Sequence, residues 1–333
     1  MLTVQHGRSG PHLNGRFEKR ELLMIRAGAI DIGTNTTLAL LAEGDVDTLR
    51  TIKDSLTPNH LGESIQEDGT LPADAIAVNV DLLHELVREF RAKGATDVVI
   101  CSTAVMRTAR NREEFQQAVR EIIGLELKIL SGSQEAALTY AGAVSALDLL
   151  PNERVNVIDL GGGSTEVISG QGNSPGQSVS LEVGAVNLTR RYFTPNESPS
   201  PEEIARLRQE VRKIQGNLFS PDGQGNVPWI LVGGTPVTLA MLKLNLTRYQ
   251  PEKIGGVELT LEELDTMIGR FAGRHPEELQ ALPAMPPGRG KYILAGTLLL
   301  RELFDVLQIQ RASVTERGLR HGVWIAHFGR QEV

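Results

Sequence analysis

One short stretch of this sequence occurs twice, and that repetition constrains the fold more than any other feature. Ala29-Ile-Asp-Ile-Gly-Thr-Asn-Thr-Thr-Leu38 aligns without a gap with Val157-Ile-Asp-Leu-Gly-Gly-Gly-Ser-Thr-Glu166, the copies matching at Asp31/Asp159, Gly33/Gly161 and Thr37/Thr165. Each copy runs from an apolar strand into a glycine-containing turn just after an acid. Backbone without Cβ atoms can approach an anion closely, and carboxylates beside it can hold a cation, which is the layout of a metal and phosphate site. Two other readings compete. A dinucleotide-binding turn needs a helix directly after the glycines, whereas Glu166-Val-Ile-Ser169 reads as a second strand. A plain hairpin would use its glycines for tight-turn geometry and leave its acids hydrated. Recurrence counts against the plain hairpin and predicts two related halves, each opening with strand, turn and strand.

At 333 residues the chain is long enough for two domains, and 41% hydrophobic with 23% charged residues is the balance of a soluble globular protein. Aromatics are only 4%, so the cores are expected to be built from Leu, Ile, Val and Ala. The formal net charge of −7 argues against a broad nucleic-acid surface, so no DNA partner is expected. The single cysteine, Cys101, excludes an internal disulfide framework, and its apolar run Val98-Val-Ile-Cys101 marks it as a small core residue. Histidine and cysteine pairings of zinc-site spacing are absent, so a hard cation on oxygen is the metal to expect. No apolar run approaches a membrane span, and the first 23 residues lack the apolar region of a signal peptide. The expected location is cytoplasmic, with no membrane partner.

Along the chain, residues 1–23 carry no apolar period and are expected to form a flexible N-terminal extension. A strand, turn and strand follow from Met24 to Leu41, and Asp45 to Arg50 begins a further segment of the same sheet. Asn59 to Asp74 is polar with Gly and Pro and reads as a loop. Ile76, Val80, Leu83, Val87 and Phe90 lie at helical spacing within Ala73 to Lys93, which Gly94 stops. Thr96 to Ser102 reads as a strand, and a helix follows from Arg112 with Asn111 as its cap and Glu114 three residues later. Leu125 to Leu130 is a further strand, and Ser131-Gly-Ser-Gln-Glu-Ala136 opens a helix. The second half repeats the plan. After its opening motif come a Gly/Ser/Pro turn from Gly170 to Gly176 and a strand ending in Leu181-Glu-Val-Gly-Ala-Val186. Ser200-Pro-Glu-Glu203 starts a helix whose stripe is Ile204, Leu207, Val211 and Ile214. Trp229 to Val232 is a buried strand entering a third glycine turn, and Thr260 with Glu263 forms a capping box. Lys291 to Leu307 reads as a buried helix, Arg311 to Thr315 as a last strand and Gly318 to Phe328 as a closing helix. Strands alternating with helices indicate an α/β fold.

The ordered set of motifs resembles the exopolyphosphatase/guanosine pentaphosphate phosphohydrolase family of the actin, sugar-kinase and Hsp70 ATPase superfamily. It comprises the two repeated stretches, Ser102-Thr-Ala-Val-Met-Arg-Thr-Ala109, Leu130-Ser-Gly-Ser-Gln-Glu-Ala136, Val232-Gly-Gly-Thr235 and Val314-Thr-Glu-Arg-Gly-Leu-Arg320, and the resemblance runs from about Ile25 to Trp324. It implies two actin-like (ribonuclease H-like) α/β domains facing a cleft. Domain I is expected over 24–130, with the closing helix 316–333 packing back on it, and domain II over 131–315. The short form is expected, without the HD-type helical region that longer members carry. Where the family usually places an arginine after Gly184-Ala-Val186 this chain has Asn187, with Arg190 and Arg191 as replacement cations. A homodimer is a family-based expectation.

The resemblance assigns roles. Glu135 matches the catalytic glutamate and is expected to aim and deprotonate water; read by itself it is an acid favourable to a helix N-terminus. Asp159 and Glu166 bracket the second turn and are expected to hold Mg²⁺. Phosphate contacts are expected from Asp31, Gly33, Thr34, Asn35 and Thr36 on one wall, Gly161, Gly162, Gly163 and Ser164 on the other, Arg107 after its strand, and the third loop at Gly233 and Gly234. Asp31 is the equivalent of Asp159, assisting the metal or ordering its own loop. The implied reaction is hydrolysis of terminal phosphoanhydride bonds, with polyphosphate or guanosine pentaphosphate as substrate. An ATP-dependent kinase on the same scaffold and a non-catalytic polyphosphate or alarmone sensor are the alternatives. The Ser-Gly-x-Gln-Glu-Ala segment favours hydrolysis over transfer, and a pure binder gains nothing from a negative Glu135 beside polyanionic phosphate.

Overall fold

A computed structural model describes residues 25–44, 49–147, 149–213, 218 and 227–329. The expectations for residues 1–23, for Ile214, for the start of the segment at Asp45 and for the last four residues of 316–333 lie outside these described residues.

The first half contains β1 (Ile25–Ile32), β2 (Thr36–Gly44), β3 (Arg50–Pro58), α1 (Leu61–Ser64), α2 (Ala73–Ala92), β4 (Asp97–Ser102), α3 (Ala104–Thr108), α4 (Arg112–Ile123) and β5 (Leu127–Ile129), followed by α5 (Gly132–Val144). The second contains β6 (Arg154–Leu160), β7 (Thr165–Gln171), β8 (Ser174–Leu181), α6 (Ala185–Tyr192), α7 (Pro201–Lys213), β9 (Trp229–Val232), α8 (Gly234–Lys243), α9 (Pro251–Ile254), β10 (Glu258–Thr260), α10 (Leu261–Phe271), α11 (Pro276–Gln280), α12 (Ile293–Val306), β11 (Arg311–Val314) and α13 (Leu319–Phe328). Among the described residues no helix is long and apolar enough to cross a membrane.

The repeat is visible in the sheets. Their orders are β3-β2-β1-β4-β5 and β8-β7-β6-β9-β11-β10, so the second reproduces the first and adds one edge strand. In each sheet the opening motif forms an antiparallel hairpin, and its first strand pairs in parallel on the other side, β1 with β4 and β6 with β9. The carboxyl ends of these parallel strands open at one edge, where ligands meet α/β sheets.

Helices cover both faces of both sheets. The first sheet packs one face on α2 and α4 through Ile30, Ile100, Phe90 and Phe115, and the other on α13. Trp324 of α13 is fully buried there, and its indole N–H donates to Ala27 O at 2.9 Å. The second sheet packs on α8, α10 and α12 on one side and on α5 on the other. Helices α5 and α13 therefore each line a different sheet, and they meet at glycines: a Cβ at Gly142 would overlap Gly318 O, and one at Gly322 would overlap Leu138 O. Only Gly permits backbones this close.

Local expectations changed at four places. Asn111 precedes α4 but caps no amide of it; its Oδ1 accepts from Leu71 N at 2.8 Å and its Nδ2 donates to Leu71 O, so it joins two segments instead. The turn expected over Gly170 to Gly176 is only the tight bend at Gly172, whose φ is +52°, and β8 already begins at Ser174. Pro175 and Gly176 are tolerated because β8 is an edge strand and needs no outward ladder bond. That strand ends at Leu181, and Ala185 and Val186 open α6. Within the expected loop from Asn59 to Asp74, Leu61–Ser64 form a short helix.

Candidate active site

The repeated turns close identically. Gly33 N donates to Thr36 O at 3.0 Å, and Gly161 N donates to Ser164 O at the same distance. The two loops face each other directly: a Cβ on Gly163 would lie 2.6 Å from Thr34 Oγ1, and one on Gly162 would lie 3.2 Å from Thr34 Cβ. Gly184, whose own Cβ would strike the Gly162 carbonyl, backs the second loop, and Ala185 N and Val186 N donate to Gly161 O and Gly162 O. Asn187 completes that support by donating to Gly163 O at 2.9 Å, so the departure at this position buttresses a loop. Arg190 reaches back to Gly62 O and Ile65 O, and Arg191 lies over the Tyr192 ring at the surface.

A cavity of about 130 Å³ lies where these loops converge. Of the site residues expected from sequence, it is lined by Asp31, Gly33, Thr34, Asn35, Thr36, Glu135, Asp159, Gly161, Gly162, Gly163, Ser164, Gly233 and Gly234. Arg107 and Glu166 stand behind this lining. Arg107 donates to Glu135 Oε2 at 2.6 Å and to Leu130 O at 3.0 Å. Glu166 is 1% exposed and accepts from Ser180 Oγ at 2.6 Å. It pairs across β6 and β7 with Asp159, which places both side chains on one face of the sheet. The first copy has Leu38 opposite Asp31, so only the second wall carries an acid pair.

The helix that carries Glu135 starts with a capping box, Ser131 Oγ accepting from Gln134 N and Gln134 Oε1 from Ser131 N, and this fixes the first turn of α5 at the cleft. Glu135 is 6% exposed; its burial raises the carboxyl pKa, and Arg107 opposes part of that rise. Burial and the charge of Glu135 push Asp159 up to about 7, although Thr139 Oγ1 donates to it at 3.2 Å. Asp31 and Glu166 are raised well above the ordinary range by burial, then by Glu135 and Asp159. Negative charge is thus concentrated without enough cation. Asp31 Oδ1 and both side-chain polar atoms of Asn35 are buried and have no protein partner. No group of three or more acid, histidine or cysteine side chains is arranged as a metal cage among the described residues. Mg²⁺ requires none, since it binds through one or two carboxylates together with substrate phosphates and retained water. Asp159 facing the cavity with Glu166 beside it fits that pattern.

Five ionisable lining residues carried no expected site role: Asp54, Tyr249, Arg289, Glu316 and Arg320. Arg320 donates to Asp54 Oδ1 and Oδ2 at 2.7 and 2.6 Å, a nearly buried bidentate pair, and Tyr249 Oη joins at 3.3 Å. Arg289 is 8% exposed and has no acidic partner among the described residues; burial lowers its pKa to about 10. It presses onto Gly234 so closely that a Cβ there would overlap the guanidinium, and Gly233 at φ +105° turns the third loop beneath. Arg320 sits within the quoted closing motif and was thereby detectable. Arg289 gave only a cation between glycines after two prolines.

A model of the Ppx/GppA phosphatase family matches residues 42–330. The chain is 27% identical over 322 residues to exopolyphosphatase 2 of Mycobacterium tuberculosis, which covers 92% of this chain and 100% of that protein. The crystal structure of the Aquifex aeolicus member of the Ppx/GppA family superposes with a TM-score of 0.77 at 28% identity, covering 91% of this chain and 97% of that one. An exopolyphosphatase from Cytophaga hutchinsonii, at 20% identity, shares the fold with a TM-score of 0.79 over 90% of this chain and 96% of its own. Both solved structures thus share the α/β fold of this chain. This chain belongs to the Ppx/GppA phosphatase family.

Proposed function

We propose that the cleft hydrolyses terminal phosphoanhydride bonds, releasing orthophosphate from inorganic polyphosphate, from the 5′ end of guanosine pentaphosphate, or from both. The observation that carries this reading is the convergence of two facing glycine loops and one buried, arginine-held glutamate on a single cavity. Phosphoryl transfer is mainly a matter of positioning and of neutralising charge. Backbone N–H groups and hydroxyls of Thr34, Thr36 and Ser164 supply donors on opposite sides of the terminal phosphate. Arg289, which has no acidic partner among the described residues, adds a cation at the third loop.

Glu135 orients the attacking water and takes its proton. Its raised pKa brings the carboxylate closer to the working pH of a base, and Arg107 fixes its direction. Asp159, with Glu166 behind it, holds Mg²⁺, which when bound neutralises charge on the phosphate oxygens. Asp31, whose Oδ1 has no protein partner among the described residues, faces the same cavity.

The test is phosphate release measured side by side on long polyphosphate, short polyphosphate and guanosine pentaphosphate, with Mg²⁺ and with chelator. Release from at least one substrate, abolished by chelation and restored by Mg²⁺, is expected. Activity indifferent to the chelator would remove the metal from Asp159, and no release from any of the three would overturn the reading.

A further inference from the structure

The first phosphate loop is held from behind by residues 59–62. Asn59 Nδ2 donates to Gly33 O at 2.9 Å, Gly62 N to Thr34 O at 2.6 Å, and Asn59 N to Asn35 O at 2.9 Å, so three successive loop carbonyls are taken up. A Cβ on Gly62 would collide with Thr34 Cγ2, which makes the fit of this bracket to the loop close. The other side of the bracket is gripped by the second lobe. Arg190 of α6 donates to Gly62 O and, at 3.3 Å, to Ile65 O. Glu63 accepts from Tyr292 Oη through Oε1 and from Lys291 Nζ at 3.4 Å through Oε2, with His60 Nδ1 3.3 Å away. Burial disfavours the Glu63 charge, but Tyr292, Lys291 and His60 together hold its pKa below the ordinary value.

Tyr292 is 3% exposed and begins α12, and its backbone N–H donates to Arg289 O at 3.0 Å. One turn of chain therefore places Arg289 in the cleft and Tyr292 on Glu63. From this we infer that Glu63, Tyr292 and Arg190 form a latch across the two lobes, and that Glu63 and Tyr292 are positioning residues which set the spacing between the Thr34 loop and the Gly162–Gly163 loop. The inference rests on the phosphate-site reading for its kinetic consequence, and on contacts alone for its structural one. Neither residue lines the cleft cavity, so both act through the loop they hold.

Two measurements test it. The first is spin-label distance measurement between cysteines introduced at Val78, 67% exposed on α2, and Leu244, 40% exposed after α8; native Cys101 is 1% exposed and stays unlabelled. Glu63→Ala and Tyr292→Phe are each expected to broaden the inter-lobe distance distribution, and this readout needs no substrate. The second is steady-state kinetics. Loss of one hydrogen bond to a charged group is expected to raise KM about tenfold, with kcat changed much less. Glu63→Gln keeps an acceptor for Tyr292 and should raise KM less than Glu63→Ala. The double variant should be no worse than the poorer single one. Unchanged distances in both variants would overturn the latch, whatever the kinetics. Broadened distances with KM at the parent value would overturn the positioning role. Should the parent release no phosphate, the distances still decide the latch separately from the function.

Discussion

Glu135→Gln separates chemistry from binding. The substitution keeps the size of the side chain and an oxygen able to accept from Arg107 Nη1, now 2.6 Å away, so the loop and the helix start at Ser131 should stay in place. What disappears is the proposed base. General-base assistance contributes about 10²- to 10⁴-fold, which at about 1.4 kcal/mol per decade is about 3–5 kcal/mol of barrier. The expected kcat is lower by that factor. KM should hold or fall, since a negative charge is removed beside Asp31 and Asp159, where a polyanion must come. The acid limb of the kcat/KM profile should also go. In the parent it should lie above the ordinary carboxylate range because burial raises the Glu135 pKa. The assay is phosphate release across a pH series, with substrate affinity from calorimetry. Turnover within about tenfold of the parent, with the acid limb intact, would refute the assignment.

Other consequences follow from particular contacts. Asp54→Asn leaves the buried Arg320 charge uncompensated and should cost about 3–5 kcal/mol in urea denaturation; a loss below about 1 kcal/mol would show the pair to be dispensable. Gly184→Ala drives a Cβ into the Gly162 carbonyl and towards Gly163 N, so phosphate release should fall with the lobes still folded by circular dichroism; parent-like kinetics would show that the second loop can shift freely. For metal-free protein the raised carboxyls set the sign of a pH effect. Their folded-state pKa lies above the unfolded value, so their stabilising contribution is complete below about 3.8 and is lost as pH rises through about 7 at Asp159, with Asp31 and Glu166 acting in the same direction. Melting temperature measured with chelator should therefore decline from pH 5 to pH 8, and Mg²⁺ should raise it most at the upper end; no Mg²⁺ response at pH 8 would count against the carboxylate site.

The parts of this site legible in sequence are those encoded in contiguous residues. A duplicated strand and glycine turn states its own geometry, and the matching closures at Gly33 and Gly161 realise it. The capping box at Thr260 was equally readable, because cap and partner lie within one helical turn. The residues missed reach the cleft only through tertiary approach. Arg289 comes from a turn before α12, Tyr249 from the segment after α8 and Asp54 from β3, and no periodicity in sequence joins them. Asn111 misled for a related reason. Its position suits a cap, but the nearby Leu71 backbone offers both a donor and an acceptor, and the amide satisfies both at once. Arg107 and Glu166 were recognisable by type but not by depth, since sequence does not say which of two polar layers faces the cavity.

That second layer explains how a cleft so rich in carboxylates can receive a polyanion. Arg320 is matched by Asp54 and Arg107 by Glu135, so neither carries free positive charge into the cavity. Arg289 is the cleft-lining arginine without an acidic partner among the described residues, and it stands on the third loop, where Asp159 is also close to Gly233. One guanidinium does not offset Asp31, Asp159 and the Glu166 behind it together in a buried site, where the charge of Asp159 raises the pKa of the other two. Under the proposed function, substrate and divalent cation would therefore enter interdependently, each reducing the cost of the other. In the proposed metal role, the carboxylates of the cleft would hold the counter-ion of the phosphate, leaving the glycine loops on either side free of charged side chains and reserved for geometry.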